Sequence, residues 1–416
     1  MVALDQRIIE SLTQNSQETF KLIEEYAKYC EDTLDVQSGY DLALRIQELG
    51  FIEEALALTN RLYDVYPDDA LVLLRAELCI DKNELDEAID QLLHIEEDSD
   101  YYVSALLVMA DAYQQLELYE VALEKLKLAK RLAKDEPVID LALFELYFYM
   151  GENQKAYQSL VSLEHNELIE ESIYVKKMAR VLGAMGEYEE VVSSLDQLSS
   201  EEHDSESLFE LGLAYYQLKE YSRAHHQFKE LLQKDPDFYS AYYYFGTSAI
   251  DCGFMDEGIT YLEMALQHNP YHETLYVTLF DVYQKKNDVD KINALGESAQ
   301  QNNIDGLSWM IKWSRHLLHF EEYDTVIEQI ERYFEMDDEE SELYWILASA
   351  YAALEDDVNA QKWYEQAYLI FEDNVEFLQE YALYLREIGK RDLFETMMSR
   401  IKTLDGSQVD EFGEDF

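Results

Sequence analysis

Apolar residues recur along this chain at helical spacing, in short segments that come in matched pairs. Glu120–Leu132 is representative: Val121, Leu123, Leu126, Leu128 and Ala129 make a broad apolar face with charged residues between them. The pairs are organised around two columns of mostly small residues. The first-helix column reads Ala43, Ala76, Ala110, Phe144, Ala179, Gly212, Gly246, Phe280, Ser314, Ala348 and Ala382. The second-helix column, twelve residues later, reads Ala55, Ala88, Ala122, Ala156, Val191, Ala224, Gly258, Ile292, Val326, Ala360 and Phe394. Successive members are 33 to 35 residues apart, and 34 throughout from Gly212 onward. A period in this range means stacked supersecondary units and not one globular core. The pattern predicts an all-α solenoid of antiparallel helix pairs.

Small residues in both helices let two backbones approach to about 8–10 Å. Tyr113, Tyr147, Tyr215, Tyr283 and Tyr351, three residues past the first-helix column, are large enough to fill the space beside that contact. Breaks at Gly151-Glu152-Asn153, Gly186-Glu187, Lys219-Glu220 and Gly253 fall between the helices of a pair. Pro67, Pro137, Pro236 and Pro270 fall between units, where a missing backbone donor costs little. The clearest unit carries Leu208, Leu211, Gly212, Tyr215, Tyr221, Ala224, Phe228, Leu231 and Pro236, and the next echoes it with Phe245, Gly246, Leu262, Ala265 and Pro270. These residues resemble the tetratricopeptide repeat, over roughly residues 36–408 or about eleven units. The resemblance implies a right-handed superhelix whose first helices line the inner surface, where members of that family usually bind peptides. It implies a fold and no single function.

Residues 1–35 keep the length of a unit without its signature; Ile8, Ile9 and Leu12, then Phe20, Leu22, Ile23, Tyr26 and Ala27, predict two helices forming an N-terminal cap. Tandem repeats are expected over 36–374. A C-terminal capping repeat follows over 375–404, where Phe394, Met397 and Met398 replace small residues. Residues 405–416, with five acidic residues and no basic ones, read as a flexible acidic tail. The polar stretch Gln300-Gln301-Asn302-Asn303-Ile304-Asp305-Gly306 is either a bend in the stack or an ordinary turn between repeats.

Composition narrows the function classes. With 32 Lys+Arg against 88 Asp+Glu, the net charge of −56 argues against nucleic acid or an anionic membrane as partner. No apolar run reaches the 18 residues of a membrane span. Met1–Leu12 carries Asp5 and Glu10 and lacks the apolar stretch of a signal peptide, so a cytoplasmic location is expected. Cys30, Cys79 and Cys252 are widely separated and expected to be reduced. No nucleotide-binding, hydrolase or metalloprotease motif is present, and neither cofactor, metal nor catalysis is expected. His316 and His319 lack a third ligand, the neighbours His225 and His226 point to different faces, and Asp337-Asp338-Glu339-Glu340 lacks the spacing of a calcium loop.

If the resemblance holds, the residue after the first-helix column samples the inner surface. There Glu77, Asp111 and Glu145 form an acidic ladder suited to a basic peptide. Lys176 and Arg180 (with Lys177 beside them), and Lys312 with Arg315, are two basic spots in a very acidic chain. Phe148, Phe209, Tyr216, Tyr243, Thr247 and Trp345 complete the candidate peptide-binding residues. Two readings stay open: an anion clamp flanked by aromatic pockets, or plain pairing of Arg180 and Arg315 with acids such as Glu145 and Asp281. Some members of the family clamp acidic peptide C-termini with Lys and Asn; Lys176 matches the basic part, and Arg180 stands where Asn would be expected. The expected function is a non-catalytic scaffold binding a peptide or partner helix in its groove, as monomer or weak homodimer. The alternatives are a peptide-sensing receptor and an acidic shield for a basic protein.

Overall fold

A computed structural model describes residues 2–13, 18–164, 166, 169–336 and 340–404, and every regular element among them is a helix. Residues 405–416 and Asp337-Asp338-Glu339 lie outside the described residues. The chain divides into two units, Met1–Glu220 and Tyr221–Phe416. In unit 1, α1 (Val2–Thr13) and α2 (Thr19–Thr33) precede the pairs α3 (Val36–Glu48) with α4 (Ile52–Val65) and α5 (Asp69–Asp81) with α6 (Leu85–Leu92). There follow α7 (Tyr102–Gln115) with α8 (Tyr119–Leu132), α9 (Pro137–Tyr149) with α10 (Asn153–Val161), α11 (Glu171–Met185) with α12 (Tyr188–Leu195), and α13 (Ser205–Gln217). Unit 2 opens with α14 (Tyr221–Lys234), then α15 (Ser240–Asp251) with α16 (Met255–His268) and α17 (Glu273–Lys286) with α18 (Val289–Gln301). It closes with α19 (Leu307–His319) and α20 (Tyr323–Met336), α21 (Glu342–Ala353) and α22 (Asp357–Phe371), and α23 (Val375–Glu387) and α24 (Arg391–Leu404). No helix is long and apolar enough to cross a membrane, among the described residues.

Both columns are buried along their whole length, with Phe394 only partly so. Closest approach comes at Gly246 on α15 and Gly258 on α16. A Cβ on Gly258 would lie 2.6 Å from the Gly246 carbonyl oxygen, and one on Gly246 would lie 2.9 Å from the Gly258 oxygen. No side chain fits between backbones that close.

The turn inside each pair repeats one backbone solution. Gly50, Asn83, Glu117, Gly151, Gly186, Lys219, Gly253, Asn287, Glu321, Glu355 and Gly389 all have positive φ. The left-handed residue lets the next N–H reach back into the last turn of the first helix, as Glu152 N–H does to Tyr147 O at 2.9 Å and Glu84 N–H to Cys79 O at 2.8 Å. Glycine takes this conformation freely; Glu117, Lys219, Glu321 and Glu355 hold it against their own Cβ.

Between pairs, consecutive repeats reuse one tie: the Tyr242 hydroxyl donates to Pro236 O and the Tyr276 hydroxyl to Pro270 O, both at 2.8 Å. In unit 2 each helix packs along its successor except at one junction, where the backbones of α18 and α19 diverge and the two meet through Trp313 on Gly296 and a 2.9 Å hydrogen bond between His316 and Asn293. A cleft of about 860 Å³ opens there, lined by Gly296, Ile304, Trp309, Trp313, Arg332 and Tyr333 among others. This is the polar stretch that the sequence singles out. The first helices α17 and α19 still touch across it.

Two substitutions test this geometry. Glu355→Gly should raise unfolding free energy by about 1 kcal/mol by relieving the left-handed turn. Gly258→Ala should lower it by roughly 1–3 kcal/mol through overpacking. Denaturant titration of each variant checks both.

Candidate functional site

The first helices carry two sets of groups with the same local logic. In unit 1 the set spans α9, α11 and α13. The Lys177 ammonium on α11 hydrogen-bonds the Glu145 carboxylate on α9. One helical turn further, Arg180 places its guanidinium 4.9 Å from the centre of the Phe148 ring, which itself stacks on Phe144 at 6.1 Å. Arg180 therefore does not pair with Glu145, because Lys177 is already there. Lys176 turns the other way and bonds Asp204, the N-cap of α13, at 2.8 Å. Burial works against the Asp204 charge, yet hydrogen bonds from Lys176 and Ser207 hold its carboxyl below the usual range. Glu210 on α13 lies over Gly183 of α11; burial raises its carboxyl, and the Arg180 charge pulls it back.

Unit 2 repeats the arrangement on α17, α19 and α21. Lys312 on α19 pairs with Asp281 on α17 at 2.5 Å. Arg315, three residues on, lies 5.8 Å from the centre of the Trp345 ring on α21. Lys177 and Lys312 hold equivalent repeat positions, as do Arg180 and Arg315. In both places a lysine takes the acid of the preceding first helix and leaves an exposed arginine on an aromatic face. Neither guanidinium has a carboxylate within ion-pair distance among the described residues.

A pocket of about 210 Å³ lies beside Arg315, with Trp345, Leu318 and Ile346 as apolar wall and Ser349, Glu376 and Glu380 as polar wall. Trp345 is held by Phe371 and Phe377, with ring centres at 5.7 and 5.4 Å. Glu380 accepts from the Ser349 hydroxyl and, at 2.9 Å, from the Tyr364 hydroxyl. The pocket thus offers one cation, one indole face and a carboxylate pair.

The other expected residues divide. Along the acidic ladder, Glu145 is neutralised by Lys177, and exposed Asp111 accepts only from Gln115 of its own helix at 3.3 Å. Glu77 is half-buried, and burial together with the Asp81 charge holds its carboxyl above the usual range. Phe209 and Tyr216 are half-buried on α13. Tyr243 meets Tyr244 edge-on at 5.3 Å. Thr247 is buried and its hydroxyl donates to the Tyr243 and Tyr244 carbonyls of its own helix, so it has no donor to offer a ligand.

Sequence reasoning passed over Glu210, Glu376 and Glu380. Lys177, Glu210, Lys312 and Glu380 all stand three residues before the sampled row, the adjacent ridge of the same helix face. Reading both ridges would have found them. His316 is already engaged: it shares a 2.9 Å hydrogen bond between its Nε2 and the Asn293 side chain and stacks on Trp313. Cys79, Glu84 and Glu87 bring donor atoms within 4.8 Å of one another. Burial keeps that thiol protonated, Gln91 donates to its sulfur, and Lys82 pairs with Glu84 at 2.9 Å, so the group is already satisfied.

Comparison with known proteins gives consistent matches. A family model described as YpiA-like tetratricopeptide repeats matches residues 114–168, and its C-terminal counterpart matches 342–403. A model of anaphase-promoting complex, cyclosome, subunit 3 matches residues 184–265. BBSome complex member BBS4 of Bos taurus is 26% identical over 305 residues, 71% of this chain and 57% of that protein, so the chain spans less than two thirds of it. Among solved structures, a chain of the APC/C hetero-tetramer Cut9-Hcn1 aligns over 97% of this chain and 94% of that one, at 13% identity and a TM-score of 0.41. Yeast Tom70 aligns over 94% of each chain, at 14% identity and a TM-score of 0.35. The TPR repeat-containing protein YpiA of Bacillus subtilis (strain 168) is 30% identical over 367 residues, 86% of either chain. With that identity sustained across nearly the whole repeat array, the chain belongs to the YpiA-like tetratricopeptide repeat proteins.

Proposed function

We propose that this chain is a non-catalytic scaffold that binds an extended segment of a partner protein along its first helices. Membership of the tetratricopeptide family supports a protein-interaction role in general. The finer reading is carried by one observation: the twice-repeated lysine–acid pair that frees an arginine on an aromatic ring. Arg180 over Phe148 and Arg315 over Trp345 each present a fixed guanidinium beside apolar surface. A planar guanidinium held in this way suits a carboxylate, and the ring beneath suits the apolar side chain next to it. A partner segment that places an acid on one of these arginines, with an apolar residue beside it, satisfies that site. Glu376 and Glu380 next to Arg315 add a place for one cationic side chain. The same arrangement gives specificity in an acidic protein, because an acidic segment that does not meet such an arginine meets net repulsion.

Dodecapeptides selected from a displayed random library against the full chain provide the test. Selected peptides should carry an acid beside an apolar residue, and Arg180→Glu or Arg315→Glu should weaken them by more than about tenfold. Moderate salt should change their affinity little where aromatic contacts dominate. Peptides that bind both variants as well as wild type would refute the arginine sites. Basic peptides lost wholly in salt would favour an acidic shield.

Glu77 yields a second test, of the acidic ladder. Its folded pKa lies above the ordinary value of 4.5, so ionisation at neutral pH costs stability. Glu77→Gln should therefore raise Tm at pH 7, and the gain should vanish as pH falls through the raised pKa toward 4.5. A Tm difference that is constant with pH would show that charge is not the cause.

A further inference from the structure

The helix α8 carries a second, chemically opposite surface. Within ten residues it and the turn after it hold Lys125, Lys127, Lys130, Arg131 and Lys134, five of the 32 cations in a chain with 88 acids. Lys130 is engaged, with Asp140 at 2.7 Å and the Lys134 carbonyl. Lys125, Lys127, Arg131 and Lys134 lie within ion-pair distance of no carboxylate among the described residues. Elsewhere some cations are taken up by acids, as Lys82, Lys155, Lys176, Lys177, Lys286 and Lys291 are, and others, such as Lys21, Arg45 and Lys285, stand unpaired among the described residues but scattered. With nearly three acids per base, it is the concentration of four unpaired cations within ten residues that sets this stretch apart.

The patch also has a floor. An open groove of about 880 Å³ runs between α8 and α9, lined by Leu128 and Leu143, by Lys125, Lys127, Lys130, Arg131 and Lys134, and by one acid, Glu124. Leu132 and Val138 beside it are 55% and 38% exposed. Cations ringing an apolar trough match a peptide whose carboxylates flank apolar side chains. A nucleic acid or an anionic bilayer matches less well. Either is an extended polyanion that must also meet the surrounding −56 charge, and neither a phosphate backbone nor a headgroup layer fills a leucine-floored trough. A short peptide stays within about one Debye length, ~10 Å, of the patch.

We propose that the α8–α9 groove is a docking site for an acidic, apolar-bearing peptide segment of a partner protein. It is separate from the first-helix sites: its cations belong to a second helix, and its failure would leave Arg180 and Arg315 untouched. The probe is a fluorescein-labelled (Glu-Glu-Leu)4 peptide, titrated against the full chain by anisotropy. Peptides (Gln-Gln-Leu)4 and (Glu-Glu-Ser)4, a dT20 oligonucleotide and phosphatidylglycerol vesicles are run beside it. Binding should need both the carboxylates and the leucines. Lys127→Glu with Arg131→Glu, both exposed, should weaken it by more than about tenfold. Lys82→Glu with Lys155→Glu, an equal charge change at cations already paired, should leave it within about twofold. Absence of binding to (Glu-Glu-Leu)4, equal losses in both double variants, or preference for dT20 or vesicles would each overturn the proposal. Far-ultraviolet circular dichroism of both double variants separates lost binding from lost fold.

Discussion

At Gly246 and Gly258 each glycine's carbonyl oxygen lies where the other's Cβ would have to be, so two helices meet backbone against backbone. The other pairs use Ala with Ala, as at Ala43 and Ala55 or Ala348 and Ala360, or compensate with a larger partner, as Phe144 does against Ala156. This spacing constraint sets how the rest is arranged. Because it fixes one face of each first helix inward, the neighbouring ridges of that helix have a determined direction. Arg180 and Arg315, one residue past the column, and Lys177 and Lys312, two before it, therefore meet the adjacent first helices each time. The groups proposed for recognition sit on helices and not on a loop, and ride on a packing rule repeated every 34 residues or so.

Charge is the second organising term. An excess of acid makes every cation a scarce neutralising group, and Lys176, Lys177, Lys229, Lys286, Lys291 and Lys312 are each spent on a carboxylate about one repeat away. Such exposed pairs contribute little stability each, on the order of 0–1 kcal/mol. Their effect is on arrangement: by occupying Glu145 and Asp281 they decide which arginines stay available. The unpaired stretch on α8 stands out against the same background.

The fold was legible because it is periodic. Eleven repetitions of two small columns leave little room for another assignment, and the breaks at Gly151, Gly186, Lys219 and Gly253 each coincide with a left-handed turn residue. Glu117, Glu321 and Glu355 take the same conformation, yet nothing in a glutamate announces it; only their place in the period does. The candidate site was legible in part. Arg180, Arg315, Lys177 and Lys312 stand out as basic spots in the sequence, whereas which of them takes Glu145 and Asp281 depends on side-chain direction between adjacent helices. Thr247 shows the limit of position alone: a hydroxyl on the right row can still be used up by its own helix. The cations of α8 were hidden by averaging, since a total of −56 conceals a short stretch of opposite sign.

The parting of α18 from α19 has a thermodynamic consequence. A linear array holds together through nearest-neighbour interfaces, and its cooperativity is only as long-ranged as the weakest of them. Across this junction helix-on-helix packing is carried by α17 against α19, while α18 meets α19 through side chains, Trp313 over Gly296 and His316 to Asn293. Fraying that begins at α24 can therefore advance through α19 and halt there, with the helices before the cleft still folded. The last three pairs, residues 307–404, thus form a separate melting block, whose amide protons should exchange as a group of their own.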